Sequence, residues 1–238
     1  MPKVENERRQ VSRGGTTVQE LLVQRNAEFA SQIKAVDDSV GRIINKLKSL
    51  GVAENTIVIF TSDQGSMCTS KIAVSSAQPY SFGKAFAFEG GIRVPFIIKC
   101  SKKVKAGLTN TSVTVNTDIY PTILDMLCLQ LKPEQHVDGI SLKPALSGSE
   151  IPFKRNLYWT YPSNHSLGHK ASVAMRQGPY KIIHWPATGV TELYNVDKDI
   201  SESNNLSKSH PELTTALMKK MKSWEPMQKI LKKFTKTK

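Results

Sequence analysis

The run Thr56-Ile-Val-Ile-Phe-Thr61 constrains this chain more than any other stretch. Consecutive β-prone apolar residues after the Glu54-Asn55 turn predict a strand buried on both faces, as in a parallel sheet. The strand ends in Ser62-Asp63-Gln64-Gly65. After a polar loop comes Gly83-Lys84-Ala-Phe-Ala-Phe-Glu89-Gly-Gly-Ile-Arg93-Val-Pro95, and a second buried strand is expected over 94–98. Upstream, Ile33, Val36, Val40, Ile43 and Leu47 recur at three- and four-residue spacing. They predict an amphipathic helix over 25–50, closed by Gly51, with Asp37 and Asp38 on its solvated face. Helix, strand, loop, strand is α/β logic, and open α/β sheets bind ligands where strands stop and loops begin.

The remaining segments are read around that centre. Residues 1–24 show no sustained periodicity and are expected to be a poorly ordered lead-in. Thr117-Asp118 supplies an N-cap for a short helix with Pro121 in its first turn. After Pro152 the texture shifts to short alternating runs, 156–161, 171–176, 180–184 and 192–195, broken by turn residues. They predict a small antiparallel sheet with one face covered by a terminal helix from Pro211 to Trp224. The expected organisation is therefore a lead-in (1–24), an α/β part (25–152), an antiparallel subdomain (153–225) and a basic tail (226–238).

Charge needs a reading of its own. The 238 residues carry a net +13. Of this, 219–238 supplies eight lysines against the single acid Glu225. With only Trp224 and Phe234 interleaved, specific nucleic-acid recognition is not expected; a solvated tail or a polyanion contact is. No run of 18 apolar residues exists, so no transmembrane helix is expected, and the first 25 residues lack the apolar core of a secretory signal. Cys68, Cys100 and Cys128 show no metal-ligand spacing.

By residue chemistry alone, Asp63-Gln64 offers hard oxygen donors for Ca²⁺ or Mg²⁺, or forms a turn. Lys84 among Phe82, Phe86 and Phe88 offers a compact cation for a tetrahedral oxyanion, or snorkels over aromatics at the surface. Glu89 and Arg93 read as a structural pair beneath the sheet. His165 and His169 read as an exposed loop pair within reach of a substrate, and His136, His184 and His210 carry no functional reading.

Taken together these motifs resemble the second half of the sulfatases of the alkaline-phosphatase-like superfamily. The similarity runs from Asn55-Thr-Ile-Val-Ile-Phe-Thr-Ser-Asp63-Gln64-Gly through Gly83-Lys84 and Glu89-Gly-Gly-Ile-Arg-Val-Pro to Asp118-Ile-Tyr-Pro-Thr-Ile-Leu-Asp125. It continues in Asp138-Gly-Ile-Ser-Leu, Tyr180-Lys-Ile-Ile183 and Glu192-Leu-Tyr-Asn-Val-Asp197, covering roughly 25–225. The resemblance implies a partial alkaline-phosphatase-like α/β fold, a parallel or mixed sheet with flanking helices, plus the small antiparallel sheet on its terminal helix. It implies hydrolysis of sulfate esters, with Asp63 and Gln64 as Ca²⁺ ligands, Lys84 contacting the sulfate and a sulfated small molecule or glycan as substrate. Gln64 is a departure that keeps an amide oxygen.

No cysteine or serine stands in the family's C/S-x-P-x-R nucleophile motif, and the family's first acidic metal ligands and its histidine have no matching positions. The expectation is thus a C-terminal sulfatase part with an incomplete Ca²⁺ site, inactive alone, with a complementary N-terminal half as a partner. Intact family members are usually exported. The competing expectations are a non-catalytic polyanion-binding module derived from the fold and, third, a phosphoester hydrolase of the same superfamily.

Overall fold

The computed structural model of the chain describes residues 7–69, 73–152, 155–164, 169–224, 226, 227 and 229. In chain order they form β1 (Arg8–Arg13), β2 (Thr16–Leu21), α1 (Ala27–Ser49), β3 (Val58–Thr61), α2 (Glu89–Ile92), β4 (Phe96–Lys99), α3 (Ile119–Met126) and α4 (Lys143–Leu146), followed by β5 (Asn156–Tyr161), β6 (Ser172–Gln177), β7 (Tyr180–His184), β8 (Thr191–Asn195) and α5 (Pro211–Ser223). Two compact units emerge, one drawn from 1–31, 64–94 and 155–238, the other from 32–63 and 95–154. The division does not follow the expected boundary at 152, because the segment carrying Lys84 packs with the C-terminal sheet.

The first unit is built on an antiparallel sheet in the order β5-β6-β7-β8. Period-two alternation sends Val173, Met175, Ile182 and Leu193 toward Leu217, Met221 and Met227 on the α5 side. It sends Ala174, Ile183 and Tyr194 the other way, against Phe82, Phe86 and Phe88 and the apolar residues Val11 and Val18 of β1 and β2. Both faces are therefore covered, where the sequence predicted one. The second cover is an aromatic loop without helical or strand periodicity, which pattern reading does not register.

The expected lead-in is also corrected. β1 and β2 pair antiparallel across Gly14-Gly15, whose φ values of 54° and 82° suit a tight two-residue hairpin turn. Gly14 lies so close to the Trp185 indole that a Cβ there would stand 2.0 Å from the ring. Residues Thr16 and Glu20 share the buried face with Val18, so the hairpin lacks the apolar alternation that announces a strand.

Helix α1 starts at Asn26, whose Oδ1 accepts the Phe29 N–H at 2.8 Å, and ends in the second unit near Gly51 at φ 68°. None of its side chains is buried. β3 and β4 pair antiparallel, with Phe60 37% and Ile97 60% exposed. The expectation of parallel strands buried on both faces is thus corrected: an apolar run reports a capacity for burial, while direction and cover come from neighbours. Asp118 staples the α3 region: its carboxylate accepts the Val115 and Ile140 N–H groups, each at 2.9 Å. Among the described residues no helix is long and apolar enough to cross a membrane.

Candidate functional site

Lys84 stands in tightly constrained backbone. Phe82 and Ala85, on either side of Gly83-Lys84, have left-handed φ values of 56° and 73°. For residues with a Cβ each costs about 1 kcal/mol or more. Around them backbone packs directly on backbone. A Cβ on Gly83 would fall 2.3 Å from the Ser66 carbonyl oxygen, one on Gly90 2.2 Å from that of Phe82, and one on Gly65 1.8 Å from that of Gly90. Hydrogen bonds close the knot: Lys84 N–H donates to the Ser66 carbonyl at 2.8 Å, and Gly65 N–H to the Gly91 carbonyl at 2.9 Å. One knot therefore fixes both Lys84 and the residue next to Gln64. The Lys84 residue is half-buried beside three buried phenylalanines, Phe82 being stacked on Phe88 at 4.3 Å. In such surroundings a charge is less screened than in open water.

Gln64 is half-buried. Asp63 is exposed, accepts the Ser62 hydroxyl at 3.4 Å, and closes a stretch of the second unit. The structure places Lys84 in the knot together with Gly65, so Gln64 is held near it through its neighbour, and Asp63 follows only by its place in the chain. As Ca²⁺ ligands Asp63 and Gln64 fit in kind, both being hard oxygen donors, but not in number, since Ca²⁺ takes about six to eight oxygens. Among the described residues no group of three or more His, Cys, Asp or Glu could hold a metal ion.

His165 lies outside the described residues. His169 is buried, correcting the expectation of an exposed side chain. Its Nε2 lies 2.8 Å from the Ser163 carbonyl oxygen, and its ring meets Phe86 edge-on, centroids 6.1 Å apart. It walls the aromatic cluster that supports Lys84. Burial, reinforced by the Glu20 charge, pushes the Cys68 thiol up to about 12, which disfavours the thiolate, and Sγ donates to the Phe82 carbonyl at 2.7 Å.

Three charged residues were missed by the sequence reading. Lys181, fully buried on β7, reaches Glu89 at 2.9 Å and Glu202 at 2.7 Å. Glu20, on β2, receives the Phe82 N–H and the Arg9 guanidinium. Arg93 does pair with Glu89, at 3.5 Å, but stays half-exposed, so the expected pair beneath the sheet is secondary to Lys181. Burial opposes ionisation of Glu89, yet the Lys181 ammonium, with Arg176 and Arg93, holds its carboxyl below the usual range. Burial pushes Glu202 up to about 7 against the pull of Lys181, helped by the neighbouring Glu89 charge. Only Lys181 left a trace in the sequence, a lysine at an inward position of an otherwise apolar strand.

The model of the sulfatase family matches residues 2–128, and that of the C-terminal part of N-sulphoglucosamine sulphohydrolase matches 80–228. An N-acetylglucosamine-6-O-sulfatase of Bacteroides thetaiotaomicron is 31% identical over 186 residues, covering 75% of this chain and 31% of its own. The crystal structure of Ps i-CgsB is similar at a TM-score of 0.68 and 29% identity, over 81% of this chain and 41% of that one. The structure of BT4656 in complex with its substrate D-glucosamine-2-N,6-O-disulfate is similar at 0.64 and 30%, over 84% and 40%. The chain spans about a third of the length of the curated relatives it matches. These likenesses agree with the α/β, alkaline-phosphatase-like fold read from the sequence. The chain belongs to the sulfatase family.

Proposed function

We propose that this chain supplies the oxyanion-gripping part of a sulfuric ester hydrolase acting on a sulfated small molecule or glycan, and that it does not turn over substrate alone. One observation carries this reading: Lys84 is the cation that the glycine-packed, left-handed knot holds in place. Binding a sulfuryl oxygen, the ammonium would offset charge gathering on that group as the ester bond breaks. Asp63 and Gln64 would contribute two donors to a Ca²⁺ site completed by other ligands; when bound, the cation would supply further charge neutralisation. The backbone knot would hold Lys84, and the buried phenylalanines flanking it in the chain would limit the screening of its contact by water.

The nucleophile is the missing component, since no cysteine or serine here stands in C/S-x-P-x-R. A segment bearing that motif and the remaining acidic ligands, in the same polypeptide or another, is the expected complement. A Ca²⁺ titration of the purified chain tests the metal part. Weak, saturable binding that disappears in Asp63→Ala is expected; binding indifferent to Asp63 would remove it from the site. A second reading, polyanion binding, is favoured by α5, where Lys219 and Lys222 border a shallow hollow of about 410 Å³ beside Thr191, Thr214, Thr215 and Met218. Retention on a sulfated polymer that survives Lys84→Ala and is lost on deleting 219–238 would favour it.

A further inference from the structure

The loop that carries Lys84 is gripped at both ends by buried carboxylates distant in the chain. At one end Glu20 Oε1 accepts the Phe82 N–H, while Oε2 accepts Arg9 at 2.7 Å. At the other, Glu202 Oε2 accepts the Glu89 N–H at 2.6 Å, and Oε1 meets Lys181 Nζ at 2.7 Å. Glu20 is 2% and Glu202 0% exposed. Glu202 has φ 51°, a backbone that glycine adopts at lower cost, so the acid is there for what its side chain does. Phe82 at the first grip and Ala85 between the two are left-handed, a geometry that persists only where its surroundings over-determine it.

We propose that Glu20 and Glu202, with their counter-ions Arg9 and Lys181, are positioning residues that fix where the Lys84 ammonium stands. The inference rests on the reading of Lys84 as the oxyanion contact. A carboxylate on a backbone N–H at each end denies the loop its hinges, and the paired cation keeps each carboxylate seated. An ammonium rooted in a fixed loop meets the oxyanion with less ordering left to do on binding. The rest of the unit supports this division of labour: the phenylalanines fill space beside the loop, while the two acids set where it begins and ends.

The test follows the Lys84 side chain itself. The full chain is methylated at its lysines with carbon-13 label, which keeps their charge, and the Lys84 signal is assigned by its loss in Lys84→Arg. In the wild type it should stand apart from those of exposed lysines and move as inorganic sulfate is added. In Glu202→Gly, chosen because glycine suits the backbone there, it should merge with the exposed lysines and the sulfate affinity should fall about tenfold. Glu202→Gln should restore much of both, because the amide oxygen still accepts the Glu89 N–H. Should Glu202→Gly not fold, Glu202→Asp, shorter by one methylene, carries the same expectation. A Lys84 signal left unchanged by the Glu202 variants and by Glu20→Ala overturns the proposal, as does a wild-type signal already merged with the exposed lysines. A signal that stands apart, merges in the variants and never responds to sulfate upholds the positioning and removes the sulfate reading of Lys84 instead.

Discussion

At the scale of single residues, the site is a matter of where side chains are forbidden as much as where they act. A Cβ on Gly90 would meet the backbone oxygens of Phe82 and Ser81 at 2.2 and 2.4 Å, and neither can step aside as a side chain would. Gly90→Ala should therefore cost about 3 kcal/mol in urea unfolding. Gly41, in α1, meets nothing within 4 Å, and Gly41→Ala there should gain about 0.5–1 kcal/mol. Equal effects at the two positions would contradict the packing described. Glu202 gives a second test. Its carboxyl is raised from an ordinary 4.5 to about 7 in the folded chain. Between those values the folded state holds a proton that the unfolded state has released. The stability this confers is present at the acid end of the window and lost as pH rises through it. Wild type should thus lose stability relative to Glu202→Gln from pH 5 to pH 7, read from urea midpoints; parallel curves for the two would count against the buried carboxyl. Asp63, Gln64 and Lys84 were legible in the sequence because each sits in a local motif. Glu20 and Glu202 were not, because their partners Phe82 and Glu89 lie 62 and 113 residues away, and local patterns carry no record of such pairs.

At the scale of elements, period reading recovered what packs regularly and missed what does not. The four strands β5 to β8 and helix α5 follow the alternation and the three-to-four spacing seen in the sequence, because successive strand residues face two opposite covers and α5 buries one stripe. The hairpin of β1 and β2 escaped, since its inward residues include Thr16 and Glu20. α1 was placed correctly, but its stripe is uncovered: Ile33, Val36 and Ile43 are 54%, 49% and 58% exposed. A 23-residue helix ordinarily draws its stability from tertiary packing of such a stripe. Ile33→Lys and Ile43→Lys should therefore change unfolding free energy by no more than about 0.5 kcal/mol, while lowering self-association in light scattering. A loss of several kcal/mol would mean that the stripe is buried in solution.

At the scale of the whole molecule, the candidate residues fall in different compact units of the chain. Gln64 and Lys84 belong to the unit built on the antiparallel sheet, and Asp63 to the unit holding β3 and β4. The strand-end position of the carboxylate was legible because α/β sheets place ligands there. The attachment of the Lys84 loop to the C-terminal sheet was not, because it depends on Phe82, Phe86 and Phe88 fitting a face already lined by Ala174, Ile183 and Tyr194. If the proposed function holds, this chain grips a sulfate ester through Lys84 without breaking it. Incubating the purified full chain with an aryl sulfate and watching the ligand by NMR tests this. The expected result is broadening of the ligand signals that weakens about tenfold or more in Lys84→Ala, with the ester intact throughout. Broadening equal in both proteins, or Lys84-dependent release of the phenol, would contradict it.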